Sequence, residues 1–337
     1  MDSSGKIKTF ILNNISLHQK DIIYTAINQF GISRQAVLKH MNALINDKKV
    51  MAYGKTRDRT YQLIPQVNFS KSIAINDDFI CHEVVQKNIL VHLKPLAKNI
   101  YQICEFSIEA LLNNIVDHAQ ATNLYVKLYL TYTDLHIIIS DNGTGLFRNI
   151  KSKLNLDSIQ LALMEVAKGQ VTTDPDHHSG DELNTVVNLF DSVKIDSSGF
   201  GLVYSSKDKA WQAVRSKQQQ GTRVHLQIDP KAKRSCEETF KYLFKNQKEC
   251  LCIPINLLKE PGKKTLNSRV IVKSIFWNIT SAKNIQFDFG NVDLIGPAVA
   301  DELVRQARSI NREVVIKWMN CNETIDLLMR RALKRIF

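Results

Sequence analysis

The chain has 337 residues, 44% of them hydrophobic, and a formal net charge of +12. That length suits two or three domains with real buried cores. The longest apolar runs fall far short of a membrane span, which argues against a membrane-embedded chain, and the charge favours an acidic partner, nucleic acid first. The N-terminus shows no charged-then-apolar leader. Six scattered cysteines lack metal-ligand spacing, and Cys250 and Cys252 stand too close for the usual pair. They read as reduced core residues of a cytoplasmic protein.

The chain opens on a basic segment. Residues 1–66 hold ten Lys and Arg against four Asp, a net +6. Leu17 to Phe30 suits a helix that Gly31 ends, and Ser33 can cap a second helix from Arg34 to Asn46. Ile32, Val37, Met41, Leu44 and Ile45 recur at helical spacing, while Arg34, Gln35, Lys39 and His40 fall largely on the opposite side. After Lys48-Lys49, a strand (50–54), a basic turn carrying Lys55, Arg57 and Arg59, and a strand (60–64) follow. Helix, tight turn, helix and basic hairpin together resemble the winged helix-turn-helix family over about residues 5–65. The resemblance implies DNA binding, with the second helix in the major groove and the wing on phosphates. Pro65 to Asp78 is polar and irregular and reads as a linker.

The central region, 79–230, carries its signals in a fixed order. A helix holds Glu109, Asn113, Asn114, Asp117 and His118, and steps of three and four put Asn114, Asp117 and His118 on one face. A strand (124–131) follows. The next strand runs into Asp141-Asn142-Gly143-Thr144-Gly145, where glycines permit a sharp turn and a carboxylate can accept hydrogen bonds from a buried amine. A variable stretch leads to Gly180, and a late strand begins at Gly221-Thr222.

That order resembles the Bergerat-fold ATP-binding domains of the GHKL superfamily, which includes gyrase, histidine kinases, heat-shock chaperones and mismatch-repair ATPases. The resemblance implies ATP and Mg²⁺ as cofactors. Asn114 would chelate Mg²⁺, Asp141 would read the adenine amine, and Gly143 and Gly145 would shape the pocket. Asp117 and His118 would accompany Asn114, Gly180 would belong to the phosphate loop, and Thr222 would lie near the base. In hydrolytic members a general-base Glu sits four residues before the chelating Asn. Here that place is Ala110, and the candidate base Glu109 is one position off, though it would fit Asn113 as chelator. The phosphate loop departs from pattern at Gly180-Asp181-Glu182-Leu183, where Glu182 opposes a polyphosphate. Gly199-Phe200-Gly201 reads as a hairpin turn, and Lys231, Lys233 and Arg234 read as a solvated linker.

Residues 246–337 alternate strands (284–289, 314–318) with helices (297–309, 323–334), a small α/β pattern. Phe287-Asp288-Phe289-Gly290 through Gly296-Pro297-Ala298 resembles the STAS-like domains found behind Bergerat-fold domains. Relatives of that topology switch through a phosphorylated Ser at the start of the helix that here begins at Pro297. Gly296-Pro297-Ala298 offers no hydroxyl, so docking of a protein partner or self-association is the simpler role. The expected fold is therefore α/β (α+β): winged helix, Bergerat-fold sandwich and STAS-like domain. Three functions fit it. One is a nucleotide-responsive DNA-binding transcriptional regulator or signalling protein. Another is an ATPase or anti-sigma-type protein kinase acting on a partner, and the last is a degenerate, non-hydrolysing binding module.

Overall fold

The computed structural model describes residues 3–169, 182–247, 250–259, 264–276, 279 and 282–335. The chain is mixed α/β. No described helix is long and apolar enough to cross a membrane.

The first unit packs α1 (Ser3–Asn14), α2 (Ile22–Phe30) and α3 (Arg34–Asn46) beside an antiparallel hairpin of β1 (Val50–Tyr53) and β2 (Thr60–Leu63). Ile11, Ile15, Ile22, Val37, Met41 and Val50 fill its own core. The helix expected from Leu17 starts at Ile22 instead, and Leu17 is exposed. His18 and Asp21 bond to each other in the turn that replaces that first stretch. Gly31 closes α2 in the left-handed conformation (φ 62°), the region that glycine enters without a Cβ clash. The Ser33 hydroxyl accepts the Ala36 N–H at 3.2 Å and caps α3.

Next comes β3 (Val67–Ala74), which corrects the linker reading of 65–78. It pairs antiparallel with β4 (Asn123–Leu130) from Val67↔Leu130 to Ala74↔Asn123. Val67, Phe69 and Ile73 pack on the core, while Asn68, Ser70 and Ser72 alternate with them toward solvent. The strand lies at the sheet edge, so polar residues on its free side weaken the apolar signal.

The short helix α4 (Cys81–Val84) precedes the long α5 (Lys98–His118). Then follow β4, β5 (Leu135–Asp141), α6 (Leu146–Lys153), α7 (Ile159–Lys168) and α8 (Glu182–Leu189). Strands β6 (Ser192–Ser197), β7 (Phe200–Ser205), β8 (Ala210–Arg215) and β9 (Thr222–Ile228) complete an antiparallel sheet of order β3-β4-β5-β9-β6-β7-β8. The Gly199 turn joins β6 to β7, as a hairpin should. One face, with Val126, Leu128, Ile137, Ile139 and Leu226, shares a core with Ile108 and Leu112 of α5 and Phe147 of α6. The other face carries polar and aromatic side chains that are mostly exposed or half-buried.

Residues 229–235 are pinned rather than free, which corrects the solvated-linker reading. Arg234 pairs with Asp191, and the Asn99 amide donates to the Ala232 and Arg234 carbonyls at 2.8 and 2.9 Å. After α9 (Cys236–Gln247) come β10 (Cys250–Pro254), β11 (Thr265–Leu266) and α10 (Arg269–Ser274). Then follow β12 (Asn284–Asp288), β13 (Leu294–Ile295), α11 (Pro297–Ile310), β14 (Val315–Met319) and α12 (Glu323–Arg335). Here β10, β12 and β14 form a parallel sheet. Their core is continuous with the central one, because α7 packs on β10. The Lys168 ammonium, buried at the end of α7, donates to Glu165 and to the Ile275 carbonyl, both at 2.6 Å.

Ile137 is fully buried at the centre of β5. Ile137→Ala should cost about 2–5 kcal/mol through lost burial and the cavity left behind. Chemical denaturation checks this; a loss below half a kilocalorie would mean that β5 is not a core strand.

Candidate functional site

Two strand ends meet to form the site. β5 and β9 pair up to Ser140↔Arg223, so one step further Asp141 lies beside Thr222. The Asp141 Oδ1 accepts the Gly143 N–H at 2.8 Å, and Oδ2 accepts the Thr222 N–H at 3.1 Å. The side chain is 6% exposed. Burial pushes its carboxyl pKa up, and the backbone donors of Gly143 and Thr222 pull against that rise. Each carboxylate oxygen has a second lone pair, so the group keeps acceptor capacity for a ligand.

Close backbone approach makes the arrangement rigid. A Cβ on Gly221 (φ 65°) would stand 1.9 Å from the Asp141 carbonyl oxygen, and one on Gly143 would stand 2.1 Å from that of Ala119. Asn142 locks the turn from the other side: its side chain accepts the Thr122 and Asn123 N–H groups at 3.0 Å. The Thr222 hydroxyl accepts the Leu146 N–H at 2.9 Å, which seats the start of α6.

Around Asp141 opens a cleft. Leu111 and Ile115 of α5, Leu146 and Ile150 of α6, Leu183 of α8, and Ile139 and Val224 of the sheet supply apolar walls. Its polar lining is Asn114, His118, Asp141, Thr144, Asn149, Glu182 and Thr222, and Gly145 opens its α6 edge. Apolar walls with a few convergent polar groups suit a flat heteroaromatic ligand.

Most of the predicted residues converge here. Asn114, His118, Asp141, Gly145 and Thr222 line the cleft, and Gly143 supports it from behind through its N–H. Of the two neighbouring amides, Asn114 lines the cleft, and Asn113 is exposed and outside the lining. Asp117 is exposed and outside the lining. Glu109 also lies outside it. Its carboxylate bonds the His82 imidazole at 2.7 Å, on the side of α5 that meets α4. Gly180 lies outside the described residues. Glu182 is the first residue of α8 and lines the cleft.

Asn149 and Thr144 escaped sequence reasoning. The Asn149 amide donates to the His118 carbonyl at 3.0 Å, and the Thr144 N–H donates to that of Ala119 at 2.8 Å, so both tie the glycine turn to the end of α5. The signal was available: Asn149 stands four residues after Gly145, where one helical turn returns it to the same face.

Among described groups of His, Cys, Asp and Glu, none can hold a metal alone. Asn114 offers one neutral oxygen donor, which fits a Mg²⁺ ion held mainly by phosphates and waters.

In the N-terminal unit, Arg34, Gln35 and Lys39 of α3 and Lys55 and Arg59 of the hairpin turn are exposed. His40 is half-buried, its Nδ1 at 3.5 Å from the Ser4 hydroxyl. The Arg59 guanidinium lies over the Tyr61 ring at 5.4 Å. The side chain of Arg57 lies outside the described residues. No protein-family model matches the chain, and no curated protein matches it.

The raised Asp141 value has a pH consequence. A carboxyl that holds its proton more tightly when folded loses stability as pH rises from 3.8 through its folded value. Wild type should therefore fall in stability relative to Asp141→Asn as pH climbs through the mildly acid range. Melting temperatures of the two proteins across that range test this, and a pH-independent difference would refute it.

Proposed function

We propose that the chain is a nucleotide-responsive, DNA-binding transcriptional regulator whose central part is a GHKL-type, histidine-kinase-like ATP-binding domain. The observation that carries this reading is the buried Asp141 carboxylate at the foot of an apolar slot, with Thr222 beside it and Asn114 on the same cleft. A carboxylate with spare lone pairs accepts the adenine amine, and apolar walls above and below cover the ring. Asn114 holds Mg²⁺ through its carboxamide oxygen once phosphates bring the ion.

Binding rather than hydrolysis is the better supported role. Glu109 is occupied by His82 and stands off the cleft, and Ala110 occupies the position of the water-activating base. Glu182 adds negative charge at the cleft, which weakens polyphosphate binding in the absence of Mg²⁺. ATP then acts as an allosteric ligand, effective only so far as it binds one conformation better than another.

The N-terminal unit supplies the DNA reader in this scheme. A capped helix with exposed Arg34, Gln35 and Lys39, next to a basic hairpin, suits a winged helix whose second helix enters the major groove. The parallel sheet with α11 and α12 serves as a STAS-like docking module for a protein partner or a second copy. The free cysteines suit a cytoplasmic setting.

Calorimetric titration with ATP–Mg²⁺ tests the cleft. Saturable binding is expected, and Asp141→Asn should weaken it at least tenfold, because an amide presents a donor to the adenine amine. Asn114→Ala should remove the Mg²⁺ dependence. Absence of heat and of any thermal shift with wild type would refute the reading.

The DNA arm is tested by selecting bound sequences from a random duplex pool and measuring affinity with and without ATP. Arg34→Ala with Lys39→Ala should abolish selection, and ATP should shift affinity at least fivefold. ATP-independent affinity would remove the regulatory half of the proposal.

A further inference from the structure

The face of the seven-stranded sheet turned away from the helices carries rings and cations in a regular array. Strand register orders it into three rows. The first holds Tyr129 of β4, His136 of β5 and Gln227 of β9, and the second holds Lys127, Ile138, His225 and Lys194. The third holds Tyr125, Ser140, Arg223 and Asp196.

Two kinds of group interleave there. Rings of Tyr129, His136 and His225 run across three neighbouring strands, with centroids 6.1 and 5.2 Å apart. The two imidazoles bond to each other at 3.0 Å, and burial lowers both of their pKa values, so the pair is neutral at neutral pH. Tyr125 is exposed on the same face. Flanking the rings are the cations Lys127, Lys194 and Arg223. Asp196, in the third row, is buried and paired with Lys194 at 2.9 Å, and Asp134, which accepts from Gln227 at 2.8 Å, borders the first row; Lys127 and Arg223 carry the remaining positive charge. At the β4–β5 turn the ammonium of Lys231 lies 3.2 Å over the Tyr132 ring, with that of Lys49 at 5.2 Å, extending the positive track toward the N-terminal unit.

We propose that this open sheet face binds single-stranded nucleic acid. Flat, uncharged rings stack on unpaired bases, and lysine and arginine at their margins take the phosphates; both are the working parts of sequence-tolerant single-strand sites. Duplex DNA hides its base faces and offers such rings nothing to stack on. The charge is complementary to a polyphosphate chain and opposed to a basic partner. This surface is separate from the cleft and from α3, so it stands or falls independently of the nucleotide and major-groove readings.

The test uses full-length protein in which Arg34→Ala, Lys39→Ala and Arg59→Ala silence the N-terminal unit. A fluorescein-labelled oligothymidylate is titrated by anisotropy over a range of salt concentrations. Binding is expected. Lys127→Gln with Arg223→Gln should weaken it at least tenfold and lower the salt slope by about 1.4, at ~0.7 per phosphate contact on a single strand. Tyr125→Ala with Tyr129→Ala should weaken it at least fivefold with the slope unchanged, since stacking carries no counterion release. A bromouridine oligonucleotide photo-crosslinked to the otherwise unaltered chain should label the 123–130 peptide, a readout that needs no variant to fold. No binding in the silenced background would overturn the proposal. So would equal affinity for the matching duplex, insensitivity to both double variants, or crosslinks confined to other peptides.

Discussion

Everything about the cleft depends on one contact, the closure of β5 onto β9 at their ends. There Asp141 receives two backbone N–H groups, one from the turn that follows it and one from Thr222, which is distant in sequence. Burying a carboxylate without partners would cost several kcal/mol. The glycines make the contact possible, because any side chain at Gly221 would strike the Asp141 carbonyl. The cost of desolvating Asp141 is thus offset in part by backbone donors held in place by the fold, and the same arrangement presents its remaining lone pairs to a ligand. A single carboxylate fixes the turn and the strand end, and the Thr222 hydroxyl adds the helix start.

That local constraint spreads outward through packed elements. α7 and β10 share one buried core, and the Lys168 ammonium, anchored on Glu165, reaches the Ile275 carbonyl of the C-terminal part. Burial lowers the lysine's pKa, and Glu165 opposes that shift only in part. The N-terminal unit, by contrast, keeps its own core and touches the sheet through Tyr132. The chain therefore carries one large cooperative body and one small one.

Much of this was legible in the residues. Asn114, Asp141 and Thr222 lie 27 and 81 residues apart, yet their motif order predicted that they meet, and they do. The α3 boundaries, its Ser33 cap and the Gly199 turn were equally readable, because each rests on local chemistry. What escaped was set by tertiary context. β3 reads as polar because one side of an edge strand faces water. Asn149 acts only through a carbonyl that α5 happens to leave at its end. Glu109 was ambiguous by one residue, and the His82 contact that takes it away from the cleft joins two helices that no spacing rule connects. The three rows of the open face exist only once register is known, since each strand contributes alternate residues that look unremarkable along the chain.

The join between the N-terminal unit and the sheet is three residues long, Ile64 to Gln66, and both of its ends are in register. Ile64 donates to the Lys49 carbonyl and Gln66 to that of Leu130. Strand pairing shifts only in whole residues, and a single step would turn Phe69 and Ile73 outward. The N-terminal unit is thereby held at both ends of the join. The join works like a tooth on a rack: any slide of β3 along β4 would carry the N-terminal unit with it in whole-residue steps.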